Sequence, residues 1–226
     1  LRQAAIQVIS HDIDKDNDMH NLLKEYAQFD NNWNVRETAL RELSRELKND
    51  LDMLAILKDR SKNDDSDEVR KVAIQILAHE WKNEHDTFSI IKDRAVNDGS
   101  DNVRKIAIQE LTRGWKKDPD TLAILKDRSI NDCSDEVREA AVVGIARNWN
   151  NDPNTLIILK DLAIDDANDQ VRQAAVVGIA RNWKNDPNTL IVLKECAMKD
   201  NSKSVRQAAV LGLARDWKKD HSNLIL

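Results

Sequence analysis

Val137, Ala141, Ile145 and Trp149 fall at i, i+4, i+8 and i+12, one apolar stripe on a helix running from about Asp135 to Asn150. Ahead of it, Thr121 to Ile130 puts Leu122, Leu125 and Ser129 on one face of another helix. Asp118-Pro119 reads as its N-cap and N1, where the missing N–H of proline costs nothing. The polar segment from Asn131 to Ser134 separates the two helices, and Ser134 is placed to cap the second. The pattern predicts a pair of helices joined by a short link, each with one face to bury.

This pattern returns every 34 residues. Val-Arg recurs at Val35-Arg36, Val69-Arg70, Val103-Arg104, Val137-Arg138, Val171-Arg172 and Val205-Arg206, with Leu1-Arg2 in the same register. Four residues on stands Ala5, Ala39, Ala73, Ala107, Ala141, Ala175 or Ala209. Twelve residues on stands Trp81, Trp115, Trp149, Trp183 or Trp217, with Ile13 and Leu47 in the first two copies. Five residues before the Val stands Asp30, Asp64, Asp98, Asp132, Asp166 or Asp200. Stacked helix pairs at a fixed period make an α-solenoid. The expected organisation is one array over residues 1–226, with second helices starting near 1, 35, 69, 103, 137, 171 and 205. The 226 residues hold six whole periods and 22 more. The first register starts within a repeat, and Asn223 to Leu226 stop part-way through a first helix, so the expectation is a fragment of a longer array.

Composition narrows the function classes. The net charge of −5, from 35 basic and 40 acidic residues, argues against a strongly basic nucleic-acid binder. No apolar run approaches the ~20 residues of a membrane span. Cys133 and Cys196 occupy different columns and form no disulfide framework, which fits a reducing cytoplasm. The five histidines show no metal spacing with cysteine. Asp14, Asp16, Asp18 and Glu25 fit acidic positions of a calcium loop, but the required Gly is Met19. No catalytic grouping recurs in one repeat, so the chain reads as non-enzymatic, without cofactor or metal.

The period alone is shared with tetratricopeptide repeats, whose Trp, Leu-Gly and Tyr fall within one helix. Here Trp149 closes a helix instead. Asp132 followed by Val137-Arg138 resembles the signature of HEAT repeats, and the resemblance covers the whole chain. It implies an all-α, right-handed α-solenoid of two-helix repeats, with second helices lining the concave face. Units with Asp-Pro-x-Thr-Leu, Val-Arg-x-x-Ala and Trp also look like HEAT-like arrays of cyanobacterial proteins, several of which follow NACHT-type signalling NTPases. That likeness implies a sensor or scaffold region with an NTPase domain upstream. Other HEAT-like cyanobacterial proteins resemble bilin lyases, which makes an enzyme subunit an alternative, although no residue here is nominated for that chemistry.

Arg138 lies within the apolar arc of its helix and needs a partner. The expectation is an internal ladder of Asp30, Asp64, Asp98, Asp132, Asp166 and Asp200 with Arg36, Arg70, Arg104, Arg138, Arg172 and Arg206, within a repeat or between repeats. The Trp column reads as core, packed under the next first helix. Trp33 breaks a column otherwise read as Asp67, Asp101, Asp135, Asp169 and Lys203, and reads equally as a cap or a contact residue.

On the solvent side of the second helices, residues 139, 143, 146, 147 and 150 are expected to lie opposite Ala141. One column there runs Gln7, Arg41, Gln75, Gln109, Val143, Val177, Leu211 and turns from polar to apolar. Its neighbour ends in Gly144, Gly178 and Gly212, for close helix approach or for room for a ligand. Beside them run His11, Arg45, His79, Arg113, Arg147, Arg181 and Arg215. Gln109, Arg113, Val143, Arg147, Val177, Arg181, Leu211 and Arg215 are therefore the candidate contact surface for an extended peptide or an acidic protein segment. Nucleic acid along this Arg row, with Lys82, Lys116, Lys184 and Lys218 near the helix ends, is the alternative.

Overall fold

The computed structural model describes residues 17–220, with side chains from 18 to 214. Leu1-Arg2, Ala5, Gln7, His11, Asp14, Asp16, His221, Leu224 and the side chains of Arg215, Trp217 and Lys218 lie outside the described residues. The described residues form the stacked helix pairs of an all-α solenoid, twelve helices without a strand.

Two compact units divide the chain. The N-terminal unit, Leu1–Gly114, holds α1 (Asn17–Phe29), α2 (Trp33–Glu46), α3 (Leu51–Asn63), α4 (Asp67–Glu80), α5 (Thr87–Asn97) and α6 (Asp101–Gly114). The C-terminal unit, Trp115–Leu226, holds α7 (Pro119–Asn131), α8 (Asp135–Asn148), α9 (Pro153–Asp165), α10 (Asp169–Asn182), α11 (Pro187–Lys199) and α12 (Lys203–Asp220). Within each unit, odd-numbered first helices pack on even-numbered second helices. Second helices stack on one another more extensively than first helices do.

The column residues explain this stacking. Ala39, Ala73, Ala107, Ala141, Ala175 and Ala209 are all fully buried, as are Leu43, Leu77, Leu111, Ile145 and Ile179. Each such Leu or Ile contributes roughly 1.5–3 kcal/mol by leaving water. Trp81 is buried in one cluster with Ile90 of the following first helix, whereas Trp115, Trp149 and Trp183 are half-buried.

First helices start as the sequence indicates. Asp118, Asp152 and Asp186 are N-caps whose carboxylates accept backbone N–H groups of the first turn, ahead of Pro119, Pro153 and Pro187. Second helices begin two residues before the Val column, because N-caps sit at positions such as Ser134 and Asn168. They end at Asn148 and Asn182 rather than after Trp149 and Trp183, which take non-helical C-cap dihedrals.

Ser134 corrects one expectation: it holds the N-cap position, but its side chain makes no capping bond. The turn is closed from the other side, where Asp132 Oδ1 accepts the Ser134 N–H at 2.9 Å. The equivalent hydroxyls of Ser100 and Ser202 donate across the repeat boundary, to Asp67 (3.0 Å) and Asp169 (2.7 Å). Trp33 occupies the register of those acceptors.

Candidate functional site

The Asp and Arg columns meet between repeats, and each residue is used more than once. In the N-terminal unit Arg36 Nε donates to Asp64 Oδ2 at 2.9 Å and Nη2 to Oδ1 at 2.6 Å. Arg70 grips Asp98 in the same way, at 3.0 and 2.8 Å. In the C-terminal unit Arg138 grips Asp166 (2.9 and 3.0 Å) and Arg172 grips Asp200 (2.8 and 3.0 Å). The third nitrogen turns back into its own repeat, so that Arg36, Arg70, Arg104, Arg138, Arg172 and Arg206 donate Nη1 to the carbonyls of Asp30, Asp64, Asp98, Asp132, Asp166 and Asp200. The Asp stands at the C-cap of a first helix in extended conformation, which frees that carbonyl. The fork to carboxylate raises the pKa of Arg36, Arg70, Arg138 and Arg172, and that of Arg172 holds Asp200 below the ordinary carboxylate value.

A second inter-repeat contact was not anticipated. Lys24 reaches Asp50 (2.9 Å), Lys58 reaches Asp86 (3.1 Å), Lys126 reaches Asp152 (2.6 Å) and Lys160 reaches Asp186 (2.8 Å), 26 or 28 residues along the chain. The Lys thus binds the N-cap of the next first helix. These hydrogen bonds hold Asp152 and Asp186 below the ordinary carboxylate pKa. The signal was present as an unbroken column, Lys24, Lys58, Lys92, Lys126, Lys160 and Lys194.

The second helices of the C-terminal unit carry the candidate contact surface. Between α8 and α10 lies an open groove of about 410 Å³ lined by Val143, Ala146, Arg147, Val177, Gly178 and Arg181, with Glu139, Gln170, Gln173, Ala174 and Asn182 around them. Between α10 and α12 lies another of about 300 Å³, lined by Gln173, Val177, Ala180, Arg181, Ser204, Gln207, Ala208, Leu211 and Gly212. Gln173, Val177 and Arg181 belong to both, so they form the ridge between two adjoining grooves. Val143 and Leu211 are 43% and 53% exposed. Gln109 and Arg113 are exposed on α6, in the other compact unit.

The floor of the grooves is made by small residues. A Cβ on Gly178 would stand 2.7 Å from Ala146 Cβ, and one on Gly212 would stand 2.8 Å from Ala180 Cβ. Close helix approach is therefore what these glycines permit, and it also buries Ala146, which the sequence pattern had placed toward solvent.

The arginine row differs between the two units. In the N-terminal unit Arg45 binds Glu42 at 2.8 Å, and Arg113 binds Glu110, which His79 also approaches at 3.3 Å. In the C-terminal unit the residues three before Arg147, Arg181 and Arg215 are Gly144, Gly178 and Gly212. Among the described residues, no ion pair is formed by Arg147 or Arg181.

The family model for HEAT repeats matches residues 1–78, 55–146 and 89–180. The chain belongs to the HEAT-repeat family. The X-ray structure of YibA from Escherichia coli is similar, with 25% identity and a TM-score of 0.63, over 92% of this chain and 77% of YibA. No curated protein sequence matches significantly. HEAT repeats are in general non-enzymatic scaffolds and commonly mediate protein interactions. Among the described residues no helix is long and apolar enough to cross a membrane, and no group of three His, Cys, Asp or Glu side chains could hold a metal.

Proposed function

We propose that this HEAT-repeat chain binds a protein partner through an extended, acidic and apolar segment laid across α8, α10 and α12. The observation that carries this reading is the loss of the internal carboxylates. Where Glu42 and Glu110 neutralise Arg45 and Arg113, glycine stands before Arg147 and Arg181, which keep their charge available beside Val143, Val177 and Leu211. Apolar side chains spaced along two adjoining grooves suit alternate side chains of a strand-like segment. Gln170, Gln173 and Gln207 offer polar groups to its backbone. The likeness of the repeats to arrays that follow NACHT-type NTPases supports a sensor or scaffold role within a larger cytoplasmic signalling protein.

The test uses a fluorescein-labelled peptide of alternating Glu and Leu, with Gln-Leu and Lys-Leu peptides as comparison, read by fluorescence anisotropy. The Glu-Leu peptide binds the chain, and its affinity falls with salt, as exposed charge pairs require. Val143→Glu with Val177→Glu abolishes that binding and leaves the thermal transition in place. Retained affinity in this variant would move the site elsewhere on the chain.

A further inference from the structure

Three first helices carry a second arginine that joins two carboxylates. In α3, Arg60 Nε donates to Asp59 Oδ2 at 3.0 Å. Its Nη1 reaches Asp64 Oδ2 at 3.3 Å and the Gln28 carbonyl of the preceding first helix at 3.1 Å. Arg94 joins Asp93 to Asp98 in the same way, at 3.2 and 3.3 Å, and Arg128 joins Asp127 to Asp132, at 2.9 and 3.6 Å. An asparagine one turn on completes each set: Asn63, Asn97 and Asn131 donate to Asp59, Asp93 and Asp127 at 2.8, 2.7 and 2.8 Å.

α9 keeps the acceptors and loses the donors. In the register of the repeat, Asp161, Asp166 and Ile130 stand where Asp59, Asp64 and Gln28 stand. Leu162 replaces the arginine and Asp165 replaces the asparagine, and both exchanges make the site more negative. Asp161 and Asp165 are exposed, and neither has an ion pair or a side-chain hydrogen bond among the described residues. Asp166 Oδ2 accepts from Arg138 Nε at 2.9 Å. The matching Asp64 Oδ2 serves both Arg36 and Arg60, so this position accommodates a second guanidinium. The Ile130 carbonyl belongs to the last turn of α7, and the Ser134 N–H four residues on goes to Asp132 Oδ1 instead. α11 lacks the arginine too, but there Lys199 takes the asparagine position and pairs with Glu195 at 3.1 Å. The three carboxylates of α9 border an open groove of about 520 Å³ between α7 and α9, walled by Ile130, Ile158, Leu162 and Ala167.

We propose that this groove takes an arginine side chain from a partner protein, which supplies the guanidinium that α9 itself lacks. The other repeats of the same chain identify the occupant. They show what the same acceptors bind, and from which direction. A planar fork meets Asp161 on one side, and Asp166 with the Ile130 carbonyl on the other, a pattern that an ammonium cannot match. The apolar walls take the aliphatic stem of the arginine and its apolar neighbours in the partner segment. The groove lies between first helices, so it is separate from the grooves of α8, α10 and α12 and does not rest on the acidic-segment reading.

The test is an NMR titration of the isotopically labelled chain with the capped peptide Gly-Leu-Arg-Leu-Gly. Peptides with lysine or citrulline in place of arginine, and free arginine, serve as comparison. The arginine peptide gives saturable shifts centred on Ile130, Asp161, Asp165, Asp166 and Ala167. It binds roughly tenfold or more tighter than the lysine and citrulline peptides, as a charged fork requires, and tighter than free arginine. Asp161→Asn with Asp165→Asn, both at exposed positions, weakens it by a similar factor. Leu162→Arg restores the internal guanidinium and removes the shifts, while Arg147→Glu with Arg181→Glu leaves them unchanged. Unchanged thermal transitions show that the variants are folded. Shifts centred elsewhere, equal affinity for the lysine peptide, or binding unaffected by the asparagine pair overturns the proposal. Free arginine binding as tightly as the peptide overturns the assignment to a protein partner.

Discussion

Arg138 makes three hydrogen bonds from one largely buried guanidinium, two to the next repeat and one to its own. Removing one partner of such a pair strands the other charge, at a cost of about 3–5 kcal/mol. Arg138→Ala is expected to lose stability on that scale, measured by chemical denaturation. Arg138→Lys should recover only part of it, since an ammonium cannot reproduce the fork. At Gly178 the expected sign opposes helix propensity. Alanine would gain about 1 kcal/mol as a helix former, but its Cβ would stand 2.7 Å from Ala146 Cβ. Gly178→Ala should therefore lower the melting temperature, and adding Ala146→Gly should restore it. The Asp and Arg columns were readable as partners in the sequence, but their direction was not. A period of 34 residues fits pairing within a repeat and between repeats equally well. The Lys column escaped attention because a lysine on the polar side of a first helix looks, in sequence, like ordinary solvated surface.

At the level of the helix, the pairs and their order were readable from the apolar stripes, and the caps of the first helices from Asp-Pro. The ends of the second helices were not, because they depend on dihedrals at Ser134 and Trp149 that no apolar pattern records. The same caps make the stacking sensitive to acid. Asp152 and Asp186 are held below the usual carboxylate value of 3.8 by hydrogen bonds from Lys126 and Lys160, and Asp200 by that from Arg172. A depressed folded-state pKa contributes stability above the unfolded value, and this is lost as pH falls through the folded value. Stability should hold on a plateau above about pH 5 and decline from about pH 4 downward. Denaturation midpoints across that range check this. Asp152→Asn with Asp186→Asn should lower the plateau and flatten the decline.

Over the whole chain, the repeats are alike in architecture and unlike in what they leave uncovered. The N-terminal unit spends Glu42 and Glu110 on Arg45 and Arg113, while the C-terminal unit leaves Arg147 and Arg181 beside exposed valine and leucine. The change of column from Gln109 to Val143 was readable in the sequence. Its meaning was not, because Glu-to-Gly at the neighbouring position reads as a packing change until the three-residue ion pair is seen. The change from Arg128 to Leu162 was passed over for a related reason. On an amphipathic first helix it reads as one more core position until the contacts of Arg60, Arg94 and Arg128 are seen. The most direct measurement is a charge-exchange cycle at Arg147 and Arg181, read as peptide anisotropy. The unaltered chain is expected to bind the Glu-Leu peptide and not the Lys-Leu peptide. Arg147→Glu with Arg181→Glu should lose the first and gain the second. Equal binding of Glu-Leu, Gln-Leu and Lys-Leu peptides, or a preference unmoved by the exchange, would contradict a groove built for an acidic segment.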